Sequence, residues 1–230
     1  AIAQLGQTAT DTASEVQAVV DAYAALLNAA DGVANGGSTL SISQFQTLGI
    51  TVIDTNAEAL LLNAVVDVGS SSSIDTYAEL TNLASIVNRL SIIAAGGTAS
   101  PALTAQDLEA LGITGVTSAN LSAVIAAVAA TADDGSGIDS MAKLQTAADT
   151  GVTNARTASQ GIIAAYTGTN TSPTLDDYQN AEVSGVTSSN IAAINSFIAQ
   201  LSTTASDSQA EVQAVVDAYA LVVAAANGLT

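Results

Sequence analysis

The feature that most constrains this chain is a ten-residue sequence, EVQAVVDAYA, which occurs at residues 15–24 and again at 211–220. Between the two copies the chain repeats itself more loosely. An aspartate marks the repeat at intervals of 64, 64 and 68 residues, and a glutamate or lysine follows it four positions later: Asp11, Asp75, Asp139 and Asp207, then Glu15, Glu79, Lys143 and Glu211. Self-similarity at a nearly fixed period predicts a tandem array of small modules.

Each repeat carries signals for three helix starts. The first is a hydroxyl residue with a polar or acidic residue three positions later, which is the spacing of a capping box. These pairs are Ser41 and Gln44, Thr104 and Asp107, and Thr174 and Asp177. The second start is predicted at Asp54, Thr117 and Thr187, and the third at the recurring aspartate. Each module is therefore predicted to contain a short helix, a middle helix and a longer third helix.

The repeat predicts four segments along the chain. Residues 1–33 are interpreted as the final helix of a truncated preceding module, with a helix over 9–31. Three-helix modules follow at 34–97, 98–168 and 169–230. The sequence lacks the sustained alternation of β-strands, so the predicted fold class is all-α, a tandem array of linked three-helix bundles.

The third helix of the module at 98–168 is predicted to be extended. It should span about 139–166, because Lys143 and Gly168 are 25 positions apart, whereas the equivalent residues of the other repeats are 17 positions apart. Gly151 and Gly161 lie inside it. Glycine lowers helix propensity, so we expect these two positions to weaken or kink the helix.

Composition excludes several classes of function. The chain has 21 acidic and 3 basic residues, for a net charge of −18. Nucleic-acid binding needs clustered lysine or arginine, so no nucleic-acid partner is expected. The sequence contains neither histidine nor cysteine, and therefore no histidine-dependent nucleophile system or zinc-ligand set. We expect no catalytic site and no cofactor, and the high charge favours a soluble monomer.

Hydropathy argues against membrane insertion. The longest apolar stretch, 121–132, is interrupted by Ser122 and Thr131. It is shorter than the roughly 20 residues that a membrane-spanning helix needs.

One loop is a weak calcium candidate. Asp133, Asp134 and Asp139 lie on a glycine-containing segment, and calcium prefers oxygen ligands on such loops. The alternating ligands and distal glutamate of an EF-hand are missing, and the equivalent loop at 69–75 has only glycine, serine and isoleucine before its aspartate. The favoured interpretation is a turn followed by a helix N-cap, with calcium binding as the alternative.

The stretch 108–149 resembles the GA-type three-helix modules of bacterial surface proteins. The resemblance is carried by Leu111-Gly112-Ile113, by the middle helix from Thr117 to Thr131, and by Gly137-Ile138 with Leu144. It implies a three-helix fold and a surface location. Founding members of that family bind serum albumin, but the aromatic and lysine residues that line their binding face are largely missing here. The alanine-, threonine- and serine-rich, lysine-poor character also resembles the repeats of large secreted adhesins of Gram-negative bacteria.

These observations predict a non-enzymatic spacer or stalk segment of a repetitive adhesin, extracellular at the bacterial cell surface. It would position a distal binding region, with neighbouring modules of the same chain as partners. The alternative is a protein-binding module that recognises a host or matrix protein through an inter-helix surface, which would need an exposed apolar patch of several hundred Å². A cytoplasmic helical scaffold is a third interpretation, disfavoured by the lack of lysine and arginine.

Overall fold

A computed structural model describes residues 11–34, 36 and 39–228. Within them the chain is helical, and the only β-type pairing is an isolated bridge between Asp31 and Ser70. The all-α prediction is confirmed. The helices are α1 (Ala13–Ala29), α2 (Ile42–Thr47), α3 (Asn56–Val68), α4 (Tyr77–Ala94), α5 (Ala105–Ala110), α6 (Leu121–Ala129), α7 (Met141–Ala164), α8 (Leu175–Asn180), α9 (Ile191–Ile198) and α10 (Gln209–Ala226).

Reciprocal capping boxes start most of these helices. At α4, the hydroxyl of Thr76 accepts a hydrogen bond from the Glu79 amide at 3.2 Å, and the Glu79 carboxylate accepts one from the Thr76 amide at 3.0 Å. The same box is present in α1, α2, α3, α5, α8 and α10. The boxes predicted at Ser41, Thr104 and Thr174 are confirmed.

The other predicted helix starts are displaced. Asp75 does not cap α4, because the N-cap is the next residue, Thr76, and the same shift occurs after Asp11 and Asp207. Likewise the N-cap of α3 is Thr55 rather than Asp54. The shift has a physical reason: only the hydroxyl has a glutamate three positions later, so only it completes a reciprocal box.

Two middle helices begin later than predicted. Thr117 lies before α6, where its amide donates to the Asn120 side chain at 2.8 Å. Thr187 makes the equivalent bond to Asn190 before α9, at 2.7 Å. Both threonines therefore organise a turn, and the helix starts after the asparagine.

The described residues fold into two compact units. The first contains the described residues up to 116 together with 125–149, and the second contains 117–124 and those from 150 onward. Helix α7 contributes residues to both units. The predicted module boundaries at 33/34, 97/98 and 168/169 stay predictions.

In the first unit, successive helices pack on one another. Helix α1 packs on α2 and α3, α3 packs on α4, and α4 packs on α5. Because α4 has partners on two sides, it is buried along most of its length. Its buried residues are Leu80, Leu83, Ala84, Ile86, Val87, Arg89, Leu90, Ile93 and Ala94.

The second unit has a core to which four helices contribute. Its buried residues are Ile163, Tyr178, Ala181, Val183, Ile194, Ile198, Val212 and Val216. Ile163 comes from α7, which the sequence assigned to the preceding module. The long helix is thus part of the core that also contains the next short and middle helices.

The two glycines inside α7 have different surroundings. A Cβ atom at Gly151 would lie 2.4 Å from Cα of Val124 and 2.8 Å from the carbonyl oxygen of Ala123. A Cβ atom at Gly161 would meet nothing within 4 Å. Gly151 therefore permits close approach of α6 and α7, a packing role that helix propensity alone does not indicate.

We expect Gly151→Ala to destabilise the chain by about 1–3 kcal/mol, because the methyl group would force the two backbones apart. The matched control, Gly161→Ala, should stabilise it by about 0.5–1 kcal/mol through helix propensity. Urea unfolding followed by circular dichroism measures both. Equal effects of the two substitutions would contradict the packing role of Gly151.

Candidate functional sites

A buried ion pair joins α4 to α5. Arg89 is 7% exposed, and its guanidinium donates to both carboxylate oxygens of Asp107, at 3.0 and 3.1 Å. It also donates to the carbonyl oxygen of Ala102 at 3.2 Å. Burial raises the pKa of Asp107, but hydrogen bonds from Arg89 and Thr104 outweigh it and hold that pKa below its usual value. Asp107 therefore caps its own helix and anchors it to α4.

In the second unit, the corresponding contact between a long helix and a capping-box aspartate is a hydrogen bond rather than an ion pair. Ser159 of α7 is buried and donates to the Asp177 carboxylate at 3.1 Å. In both pairs the residue on the long helix precedes the capping-box aspartate by 18 positions. This contact was not predicted from the sequence. The available signal was the constant spacing, together with an arginine, Arg89, among apolar residues.

Glu58, at the start of α3, is a buried carboxylate that is 3% exposed. One oxygen accepts hydrogen bonds from the amides of Asp54 and Thr55, each at 3.1 Å, and the other accepts from the Asn88 side chain at 3.0 Å. Burial raises the pKa of Glu58, but these bonds outweigh it and the pKa lies below its usual value. The adjacent cavity has a volume of about 10 Å³, which is at the lower limit for holding one water molecule.

Two of the three calcium candidates, Asp134 and Asp139, make ordinary loop contacts. Asp134 accepts a hydrogen bond from the Ser136 amide at 2.9 Å, and Asp139 pairs with Lys143 at 2.8 Å. The Ser140 hydroxyl accepts from the Lys143 amide at 3.3 Å, so the capping contact at α7 comes from the residue after Asp139. Among the described residues, no group of three or more acidic side chains is arranged to hold a metal ion.

Glutamine side chains clamp the turn that follows a short helix. Gln145 accepts from the amide of Thr114 and donates to its carbonyl, at 3.0 and 3.1 Å. Gln213 makes the same two bonds to Ser184, at 2.8 and 3.2 Å. Thr81 occupies the equivalent position in α4, and its buried hydroxyl has no hydrogen-bond partner. The three helices thus share this position, but the two hydrogen bonds are present where the residue is glutamine and absent where it is Thr81.

Exposed apolar side chains of the second unit concentrate on α9 and α10. They are Phe197 on α9, Leu201 shortly after it, and Leu221, Val222 and Val223 on α10; Ile162 of α7 is a further exposed apolar residue of this unit. The Phe197 ring lies against Tyr219 at a centroid distance of 6.2 Å. A groove of about 500 Å³ borders α10, with Gln213, Tyr219 and Ala220 among its lining residues. This surface is the best candidate for contact with another molecule.

Helix α10 is also the one helix among the described residues that is long and apolar enough to cross a membrane. Its 18 residues have a mean hydropathy of 1.2, and 11% of them are buried. Length and composition alone are weak evidence for a membrane span. An apolar helix face that packs against protein has the same composition.

Comparison with models of protein families, with curated proteins and with solved structures finds no match to this chain. The resemblance to GA-type modules and adhesin repeats therefore stays a hypothesis that rests on the residues quoted for it. Any function proposed for the chain must rest on its own repeat pattern and side-chain contacts.

We expect Arg89→Met to destabilise the chain by about 2–3 kcal/mol, because Asp107 would remain largely buried without its partner. Asp107→Gln should also be destabilising, because it leaves the buried Arg89 without its carboxylate, although glutamine can keep the cap as it does in α2. The double variant should be more stable than the sum of the two losses predicts. Urea unfolding of all four chains gives the coupling energy, and strict additivity would contradict the ion pair.

The hydrogen bonds of Glu58 predict that the unfolding free energy depends on pH. Its pKa is lowered in the folded chain, so its stabilisation is present above the ordinary carboxyl pKa and is lost as pH falls through the lowered value. The difference in unfolding free energy between the native chain and Glu58→Gln should therefore shrink from about pH 6 to about pH 3. The control is Glu109→Gln at an exposed position, which should change stability little throughout. A constant difference for Glu58→Gln would contradict the assignment.

Proposed function

We propose that this chain is a non-enzymatic spacer segment of a repetitive bacterial surface adhesin, built as a tandem array of linked helical bundles, and that it positions a distal binding region. The observation that carries the proposal is the recurrence of one junction. A long helix meets the capping residue of the next short helix at Arg89–Asp107 and again at Ser159–Asp177. Repeating one junction along a chain is how repeat proteins maintain spacing.

The spacing would be mechanical. Capping boxes fix where helices start, and a long helix such as α4 packs on both the preceding and the following helices. The net charge of −18 adds repulsion between neighbouring segments, which opposes collapse and self-association. Neighbouring modules would be the principal partners of a monomeric chain, which would bind no nucleic acid and insert in no membrane.

A surface location completes this proposal. Lysine and arginine together number 3 in 230 residues, which leaves few sites for trypsin-like proteases. That property suits an extracellular protein. The resemblance to GA-type modules and to adhesin repeats supports the same location at the bacterial cell surface.

A second function is favoured by the apolar surface of α9 and α10. Phe197 is exposed beside Tyr219, and a groove borders α10. Aromatic residues in such positions are common anchors in protein interfaces. A host or matrix protein bound at this surface would make the chain a binding module.

Small-angle X-ray scattering tests the spacer. A compact globule of this length would have a radius of gyration of about 17 Å, and a spacer should give a clearly larger value with a rod-like profile. The same chain should not bind immobilised serum albumin or fibronectin. A compact particle, together with saturable binding that Phe197→Ser removes, would replace the spacer by the binding module. Leu60→Ser, at an exposed position in α3, is the control.

A further inference from the structure

Three long helices of this chain are versions of one helix in different surroundings. Helices α1, α4 and α10 align at their capping glutamates, Glu15, Glu79 and Glu211. Each helix has two apolar sets of residues. The first set comes early in the helix and the second set continues toward its end, so the burial of each set can be compared position by position.

Helix α4 has both sets buried. Leu80 and Ala84 form the first set, and Ile86, Leu90 and Ile93 form the second. Helix α4 packs on α3, which precedes it, and on α5, which follows it. It therefore represents the fully partnered form of the repeat's long helix.

In helix α1 the second set is buried and the first set is not, and Val19, which belongs to neither set, is also buried. Ala22, Leu26 and Ala29 are 1–2% exposed, and α1 packs on α2 and α3. In the first set Val20, the counterpart of Ala84, is 47% exposed. The second set of a long helix is thus the face associated with a short helix and a middle helix that come after it in the chain.

Helix α10 has the opposite pattern. Val212 and Val216 of its first set are 2–3% exposed. Ala218, Val222 and Ala225 are the counterparts of the buried second set of α1, yet they are exposed, Val222 at 66%. Sequence cannot cause this difference within the shared decapeptide, where Ala22 is buried and Ala218 is exposed. The difference comes from the partner that each helix has.

We infer that the second set of α10, formed by Ala218, Val222 and Ala225, is a docking site for a short-helix and middle-helix pair of the α2–α3 type. This inference rests on the repeat architecture of the proposed function and adds a partner for a defined surface. The occupant is specified by α1, in which the same ten-residue sequence leads into a face that is buried in contact with α2 and α3.

The neighbouring residue Leu221 sets the chemistry of the occupant. Leu221 is the counterpart of Arg89, whose guanidinium holds the capping aspartate of α5. Leucine offers no donor, so a short helix with an aspartate at that place would bury a carboxylate without its cation, which is costly. In α2 the residue equivalent to Asp107 is the neutral Gln44, and the residue of α1 that aligns with Arg89 is Ala25. The site therefore fits the α2 type rather than the α5 type.

A two-copy chain tests the inference directly. Residues 1–228 of the full chain are followed by residues 33–230 of a second copy, so that α10 leads into α2 and α3 as α1 does in the native chain. In this chain Val222→Asp, made in the first copy, should lower the unfolding midpoint of that α10 by about 5 °C or more, because it places a carboxylate in an apolar contact. Hydrogen exchange at amides 218–226 should slow, and Val222→Asp should restore fast exchange.

Two controls make the result specific. In the single 230-residue chain Val222→Asp should leave the midpoint unchanged, because Val222 is exposed there. Ala220→Asp should be neutral in both chains, since Ala220 and its counterpart Ala24 are both exposed. Unprotected amides 218–226 in the two-copy chain, or a neutral Val222→Asp, would overturn the inference.

The other occupant of an apolar helix face is a lipid surface. Sedimentation of the single chain with phosphatidylcholine vesicles, abolished by Val222→Asp, would overturn docking by a helix pair if amides 218–226 also stay unprotected in the two-copy chain. The docking test and the scattering test of the spacer can fail independently of each other. Failure of docking leaves the scattering of the single chain unchanged, and a compact single chain does not prevent α10 from docking in the two-copy chain.

Discussion

The reciprocal capping box is the interaction on which the rest of this fold depends. The helices are rich in alanine and valine and bury little area each, so packing alone gives them little stability. A capping residue contributes about 1 kcal/mol, a large share for helices that bury so little area. Boxes such as Thr76 with Glu79 also fix the residue at which a helix begins. That choice sets the face on which every later apolar side chain lies.

The acidic or amide member of the box also makes tertiary contacts. Asp107 caps α5 and binds Arg89 of α4, Asp177 caps α8 and accepts from Ser159, and Glu58 caps α3 and accepts from Asn88. One side chain thus couples the start of a helix to its packing. Loss of the box would remove the helix cap and the tertiary contact together. A chain with few basic residues can therefore orient its helices through the side chains that already cap them.

The sequence predicted the period, the helical class and the capping boxes at Ser41, Thr104 and Thr174, because these are local patterns with fixed spacing. It predicted caps at Asp54 and Asp75, whereas the caps are the next residues, Thr55 and Thr76. An aspartate beside a hydroxyl residue offers two candidates for the cap. The contact of Gly151 could not be predicted, because periodicity identifies apolar positions without naming the helix that covers them, and the contact of Arg89 was missed although its spacing from the capping-box aspartate recurs. The best candidate surface, on α10, was missed for the same reason. Its sequence is shared with α1, and only the surroundings distinguish the two.

Acidic residues at the helix starts have opposing effects. The Glu211 pKa is lowered by hydrogen bonds from Ser208, so this cap favours the folded chain at neutral pH and weakens as pH falls. The Asp207 pKa is raised, first by its hydrogen bond with Glu211 and then by the charge of Glu211, so ionisation of Asp207 opposes folding as pH rises. Asp11 and Glu15 form the same pair at the start of α1. Charge repulsion is therefore built into the start of the long helix, where the capping bonds must outweigh it.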